Sequence, residues 1–384
     1  MVEYRKAVHA DYNELIDLAD LVFSYAYEPY DFVAILPKLY KEELFDPSQH
    51  YIVKENGKIV ALVGSYPSTF HVCEVPLKMS GIGIVTVHHR FRSKGYMKQL
   101  LHMALEDMRK GGMDFSCLQG QRQRYEYFGY TPCGSGLSFT CTAVNIRHNL
   151  AKLPPVTLAL KEITSDSRME LDKWHQLHVK KKAYFDRPRE VFYEILNSWR
   201  NTPMGIWQAD KLIGFFLASK DRKSISELYL TDMSMLTQAL DAYLRTFKQE
   251  RVEVKASPTD TELLAELSTF AQGFTASNAF HYNVFNYPKV IGAFLKLKSK
   301  DVALPDGEFT LGIAGVCNLK ISVRSNEPVV SVTEEAPRFV LSHLEAMRLI
   351  FSPVSTYSSG PMQGNAFARA LFPLPLFIER SDQM

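Results

Sequence analysis

Between Ile84 and Met108 the sequence passes from a β-run through a basic, glycine-containing turn into a helix, an order that admits few packings. In Ile84-Val85-Thr86-Val87, Val85 and Val87 fall on one face of a strand, and Ile84 and Thr86 on the other. The turn Arg92-Ser93-Lys94-Gly95 follows. Met97, Leu100, Leu101, Ala104, Leu105 and Met108 then recur at helical spacing up to Gly111-Gly112, a C-terminal stop. Backbone N–H groups from Ser93 through Tyr96 and Met97 to Lys98 lack partners in a first helical turn, so they are placed to donate to an anion such as a pyrophosphate. Gly95 lets that anion approach the backbone because no Cβ stands in the way, and Arg92 and Lys94 add positive charge.

The flanks extend this unit. Leu15, Leu18, Ala19 and Val22 have helical spacing, with Asp11 before them as an N-cap. A second helical stretch is interrupted by Pro37, which predicts a kink or two short helices. Two β-runs surround Asn56-Gly57, the pair preferred by a two-residue type I′ hairpin. The run from Phe70 to Val87 reads as one further strand, that from Met113 to Gly120 as a buried strand, and Tyr125 to Gly134 as an aromatic loop. From Val156 the order recurs: two helices, a hairpin turning at Ala209-Asp210, a strand, a helix near Met235 to Phe247, and a strand from Arg251. We read this as a diverged duplication. Beyond Tyr287 the pattern becomes a smaller α+β module, in which Ser342 and Glu345 have capping-box spacing.

Composition narrows the function classes. A length of 384 residues, 46% of them hydrophobic and 22% charged, fits two or three soluble globular domains. Lys and Arg number 44 against 42 Asp and Glu, a net charge of +2, so no overall field draws the chain to nucleic acid or a membrane surface. Recognition is therefore expected at a local site. Five cysteines without a CxxC pair argue against a disulfide framework and a zinc ribbon. The charged first residues lack the apolar core of a signal peptide, and no apolar run approaches the ~20 residues of a spanning helix, so the expected compartment is the cytoplasm.

The Arg92 to Gly95 turn resembles the R/Q-x-x-G-x-G/A motif of the GNAT superfamily of N-acetyltransferases, which hold the pyrophosphate of acetyl-CoA in this arrangement; the last small position is Met97 here. With the loop Tyr125-Glu126-Tyr127-Phe128-Gly129-Tyr130, the total length and the compact ending, the whole chain resembles the enhanced intracellular survival (Eis) family. The resemblance implies a mixed fold, α/β and α+β, of two tandem GNAT-like domains and a sterol-carrier-protein-like C-terminal domain. It assigns residues 1–150 to a catalytic domain binding acetyl-CoA, 151–285 to a degenerate second GNAT-like domain and 286–384 to the sterol-carrier-like domain. It also implies a homo-hexamer.

Site roles follow from the same resemblance. Val85, Thr86 and Val87 would hold the pantetheine by strand-like pairing, Arg92, Ser93, Lys94, Gly95, Tyr96, Met97 and Lys98 the pyrophosphate, and Gln121 would touch the cofactor. Tyr125 would protonate the departing CoA thiolate, as a phenol of pKa ~10 can. Tyr127 and Tyr130 are rival donors by type. The carboxylate of Met384 would accept the amine proton, directly or through a water, with the apolar residues up to Ile378 docking the tail. In the second unit the stretch from Leu228 to Leu240 has neither a basic residue nor a glycine at the turn, so it is expected to bind no CoA.

Other signals read as structural. His88 and His89, adjacent in a strand, would point to opposite faces and could not share a metal ion. Cys117 and Cys133 read as buried thiols, and Lys180-Lys181-Lys182 as a solvated helix end. The expected activity is direct, metal-independent acetyl transfer from acetyl-CoA to a primary amine: an aminoglycoside, a polyamine, or a lysine-like or peptide amine. The alternative is a lipid- or small-molecule carrier with vestigial acetyl transfer.

Overall fold

The computed structural model describes residues 1–26, 29–357 and 364–384, which divide into two compact units. The first comprises Met1–Gly134, Phe280–Leu374 and Met384. Its opening elements are β1 (Val2–Lys6), α1 (Tyr12–Ser24), the short helices α2 (Phe32–Ile35) and α3 (Pro37–Tyr40), β2 (His50–Glu55), β3 (Lys58–Val72), β4 (Val75–Val87), α4 (Tyr96–Lys110), β5 (Phe115–Leu118), α5 (Arg122–Glu126) and β6 (Thr131–Cys133). Strands β1 to β4 are antiparallel neighbours in order, and β4 and β5 run parallel. The strand Phe280–Val284 lies between β5 and β6.

Local chemistry explains these elements. Asn56 (φ 53°) and Gly57 (φ 81°) make the two-residue turn between β2 and β3, with Glu55 opposite Lys58. Pro37 divides α2 from α3. The expected single strand from Phe70 to Val87 is instead the end of β3 and all of β4: Cys73 (φ 45°) and Glu74 (φ 69°) turn between them, with Val72 opposite Val75. Asp11 stands at the N-cap position of α1, but its side chain makes no capping bond there. Its carboxylate is taken by Arg5 (2.6 Å), Lys54 (2.7 Å) and the Val8 N–H (2.9 Å), a stronger set of donors than one helix N–H. Helix α4 buries Leu100, Leu101, Ala104, Leu105 and Met108 against Val63 and Ile82 of the sheet and ends at Gly111 and Gly112 (φ 66°). At about 1.5–3 kcal/mol for each large side chain, that stripe is the main force holding the turn before it in place.

The same unit contains helix Tyr287–Ser299, a sheet of Gly307–Ile313, Cys317–Arg324, Glu327–Val332 and Phe339–Leu341, and helix His343–Phe351. The last begins at the expected capping box: the Ser342 N–H donates to Glu345 (2.9 Å) and the Glu345 N–H to Ser342 Oγ (3.4 Å).

The second unit comprises Ser135–Ala279 and Pro375–Gln383. Its sheet orders the strands 273–277, 136–142, 251–256, 224–230, 211–218, 202–208 and 159–162. Hairpin, strand 224–230, helix Leu236–Phe247 and parallel strand 251–256 repeat the order β2–β3, β4, α4, β5. The sequence-read boundaries at 150 and 285 do not coincide with this division. Strand 136–142 pairs with 251–256, so it and the following helix Ala143–Leu150 lie in the second unit. Strand 280–284 pairs into the first sheet, and residues 286–374 group with the first unit. Non-local strand pairing decides these memberships, and the order of elements along the chain does not reveal it. Lys181 is also not solvated: its side chain is 22% exposed and pairs with Glu379 at 2.8 Å.

Candidate active site

Strands β4 and β5 are paired only from Met79–Phe115 to Ile82–Leu118, where β5 stops while β4 continues to Val87. The strands part there because β4 is bulged. Leu62 pairs with Thr86 and Gly64 with Gly83, leaving two β4 residues, Ile84 and Val85, opposite Val63 alone. Ile84 has φ 50°, a left-handed conformation unusual for a β-branched residue, and Thr86 Oγ1 donates to its carbonyl at 3.0 Å. Val85 and Val87 pack toward the α4 side. Beyond Ile82, β4 pairs with β3 on one edge and with no strand on the other among the described residues.

The turn beyond β4 begins with a short 3-10 segment, His89–Phe91. Ser93 (φ 66°) and Gly95 (φ 79°) adopt left-handed conformations, and the Gln99 N–H to Gly95 carbonyl bond (3.0 Å) opens α4. The N–H groups of Tyr96, Met97 and Lys98 therefore precede the helix's own ladder, and the space where a Gly95 Cβ would stand is open. Lys94 is one of the two residues read as adding charge to this turn. Its ammonium pairs with Glu55 (2.8 and 3.0 Å), which also accepts from the Tyr96 hydroxyl; this tethers the turn to the end of β2. Tyr96 thus buries its ring and can offer an anion only its backbone. Arg92 is exposed and makes no ion pair among the described residues, and Lys98 Nζ lies 4.6 Å from the Tyr127 ring centre.

On the other side of the parting strands, Gln121 starts α5: its carbonyl accepts from the Arg124 (3.1 Å) and Tyr125 (3.3 Å) N–H groups, and its side chain is exposed. Tyr125 is buried with its ring against Gly120, where a Cβ would lie 2.2 Å from Cε2. Burial raises its pKa above 10, the Arg124 cation pulling the other way, so the phenol is protonated at neutral pH. The rival phenols are occupied differently. Tyr130 is fully buried and bonded to Ser116 Oγ at 2.7 Å, while Tyr127 is exposed beside Lys98.

Met384 lies on the face of β4 that carries Gly81 and Gly83. Its Sδ is 2.7 Å from where a Gly81 Cβ would stand, and its carboxyl carbon and Cβ are each 3.5 Å from that of Gly83. Residues missed from sequence complete this face. Tyr66, opposite Gly81, lays its ring over the cross-strand pair Gly64 and Gly83, and its hydroxyl bonds His50 Nε2 (3.2 Å) and Tyr40. The alternation Gly81-Ile82-Gly83 was the available signal: two missing side chains on one face of a strand. A cleft of about 770 Å³ lined by His102, Arg109, Tyr127, Phe285 and His343 includes neither Tyr125 nor Met384.

The set-aside signals are also located. His88 and His89 stack with ring centres 4.4 Å apart instead of facing opposite ways, because β4 ends at Val87 before them. Among the described residues no three His, Cys, Asp or Glu side chains are grouped to hold a metal, and no helix is long and apolar enough to cross a membrane. Cys117 and Cys133 are buried, and burial pushes the Cys117 thiol up to about 12. At the corresponding turn of the second unit, the Asp232 carboxylate accepts the Ser234 N–H (3.0 Å), placing a negative charge where an incoming phosphate would sit.

Residues 3–133 match the family described as acetyltransferase (GNAT) domain. No curated protein matches the chain. Among solved structures, a GCN5-related N-acetyltransferase from Kribbella flavida has a TM-score of 0.69 at 14% identity, covering 100% of this chain and 98% of that one. Another from Anabaena variabilis has 0.69 at 15%, and Eis1 from Mycobacterium abscessus 0.66 at 13%, both covering 100% of each chain. Residues 3–133 are thus a GNAT acetyltransferase domain, the kind that serves acyl-CoA-dependent N-acetyltransferases, within a chain that shares its fold from end to end with GCN5-related N-acetyltransferases.

Proposed function

We propose that this chain transfers acetyl directly from acetyl-CoA to a primary amine at the parting of β4 and β5. The observation carrying this reading is that the Met384 carboxyl carbon adjoins Gly83, on the strand whose residues Val85 to Val87 have an edge without a partner strand among the described residues. An extended pantetheine would complete that edge, with the N–H groups from Ser93 to Lys98 and the Arg92 guanidinium on the pyrophosphate and Gln121 near the cofactor. The amine attacks the thioester carbonyl, the Met384 carboxylate takes its proton directly or through a water, and the Tyr125 phenol supplies a proton to the leaving thiolate. No covalent enzyme intermediate is needed.

The acceptor we infer is a primary amine of a polyamine, an aminoglycoside or a lysine side chain. We read residues 286–384 as sterol-carrier-like, the assembly as a hexamer and the compartment as the cytoplasm. The test is thiol release from acetyl-CoA across a panel of amines, with Tyr125→Phe and a chain lacking Met384 beside the parent. Each change is expected to lower kcat roughly 10²-fold with little change in KM for acetyl-CoA. Full activity in both would overturn the acid and base assignments.

A further inference from the structure

The cleft of about 770 Å³ that excludes Tyr125 and Met384 lies wholly within the first unit. His102 and Arg109 of α4, the loop after α5 at Tyr127 to Gly129, Phe285 and His343 line it. Helix α4 separates its cationic end from the phosphate turn: between Gly95 and Arg109 the helix rises about 21 Å at ~1.5 Å per residue. A pyrophosphate held at Gly95 is therefore out of reach of Arg109.

Among the described residues no carboxylate lines this cleft. Arg109 is exposed, with its guanidinium carbon 5.4 Å from the Phe285 ring centre, and makes no ion pair or side-chain hydrogen bond among the described residues. His102 is also exposed; its ring centre lies 5.3 Å from that of Phe128 and 6.5 Å from that of Tyr127, and neither nitrogen has a hydrogen-bond partner among the described residues. The nearest carboxylates along the chain are engaged elsewhere: Asp107 by Tyr51 (2.8 Å) and Lys6 (3.0 Å), Glu106 by Lys110 (2.7 Å) and Asp114 by Lys289 (2.7 Å). A guanidinium and an imidazole thus stand beside aromatic rings without an internal counter-charge, which is the donor set that takes an oxyanion.

The surroundings are already fixed. His343 Nε2 lies 3.0 Å from the Gly129 carbonyl, so that nitrogen carries the hydrogen, and Nδ1 accepts from the Tyr287 hydroxyl at 2.9 Å. Burial lowers the His343 pKa and the Arg109 cation adds to this, so His343 is a neutral wall and leaves the positive charge to Arg109. Asn283 Nδ2 pins the same loop through the Phe128 carbonyl at 2.9 Å. Elsewhere on the lining, nothing stands within 4 Å of where a Cβ of Gly112 or Gly315 would be, so a flat group can lie against the backbone there. A preformed wall of this kind lowers the ordering cost of binding.

We propose that this cleft is a separate binding site for a small oxyanion joined to a flat ring, an aryl carboxylate or a nucleotide phosphate, with the oxyanion on Arg109 and His102 and the ring beside Tyr127 and Phe285. The volume is that of a small-molecule pocket, about 300–1,000 Å³. The site is independent of the acetyl transfer proposed above and holds whether or not that reading does.

The test is calorimetric titration of the full chain with 2-naphthoate and with 5′-AMP, each beside its uncharged counterpart, 2-naphthamide or adenosine, and each repeated with acetyl-CoA present. The expected result is that at least one anion binds with one site per chain, at least about tenfold more tightly than its uncharged counterpart, and that acetyl-CoA leaves this affinity unchanged. Which anion binds more tightly distinguishes a carboxylate from a phosphate ligand. Arg109→Gln is expected to weaken binding about tenfold or more and His102→Ala about threefold, with thermal unfolding as the control for folding of both. Parental affinity in both folded variants overturns the proposal, as does equal affinity for the uncharged counterparts or no binding of either anion at millimolar concentration. Displacement of the anion by acetyl-CoA also overturns it, since the cleft would then be an arm of the cofactor site.

Discussion

Gly83 shows how little room the site leaves at the scale of one residue. Its backbone is not left-handed, so glycine is required there for space: an added methyl would stand 3.1 Å from the Tyr66 ring and 3.5 Å from the Met384 carboxyl carbon. Gly83→Ala is therefore expected to cost about 1–3 kcal/mol by overpacking and to lower kcat more than KM for acetyl-CoA, measured by thermal unfolding and thiol release. The network behind Tyr66 makes a separate prediction about pH. Burial lowers the His50 pKa to about 4, while the unfolded chain titrates near ~6.5. Between these values the unfolded state binds more protons, so stability is full above pH ~6.5, falls as pH drops and is lower by up to about 3 kcal/mol below pH 4. Urea unfolding at several pH values should show this slope in the parent and a shallower one in His50→Gln; equal slopes would remove His50 from the account.

In the function proposed above, the element that decides cofactor binding is the turn into α4. Gly95 has φ 79° with open space around it, so Gly95→Ala meets no clash but carries a strained backbone of about 1–2 kcal/mol. The expected result is a higher KM for acetyl-CoA with kcat nearly kept, the opposite of Gly83→Ala. This turn, the helix stripe and the Asn56-Gly57 hairpin were legible because spacing over a few residues determines them. The bulge at Ile84 was not, since it arises from the register of β3 against β4. Nor was the Lys94–Glu55 tether, which joins groups that only the folded sheet brings together. The insertion of strand 280–284 between β5 and β6 was hidden for the same reason.

For the whole molecule, the repeated order of elements was readable, and so was the absence of a basic turn in the second copy. The ion pairs of that copy were not: Lys181 looked like one of three surface lysines, and Arg187 carried no pattern at all. Both pair with tail residues, Glu379 and Asp382, nearly two hundred positions away. Buried charge networks leave no periodic trace, so sequence reasoning passes over them. The two copies are thus unequal at this turn: one has open N–H groups at the start of a helix and the other a carboxylate, Asp232, in that place. The most direct test of this asymmetry is backbone amide exchange with and without acetyl-CoA. The account predicts protection on binding at residues 85–87 and 93–98 and none at 231–236. Protection at 231–236, or none at 93–98, would contradict it.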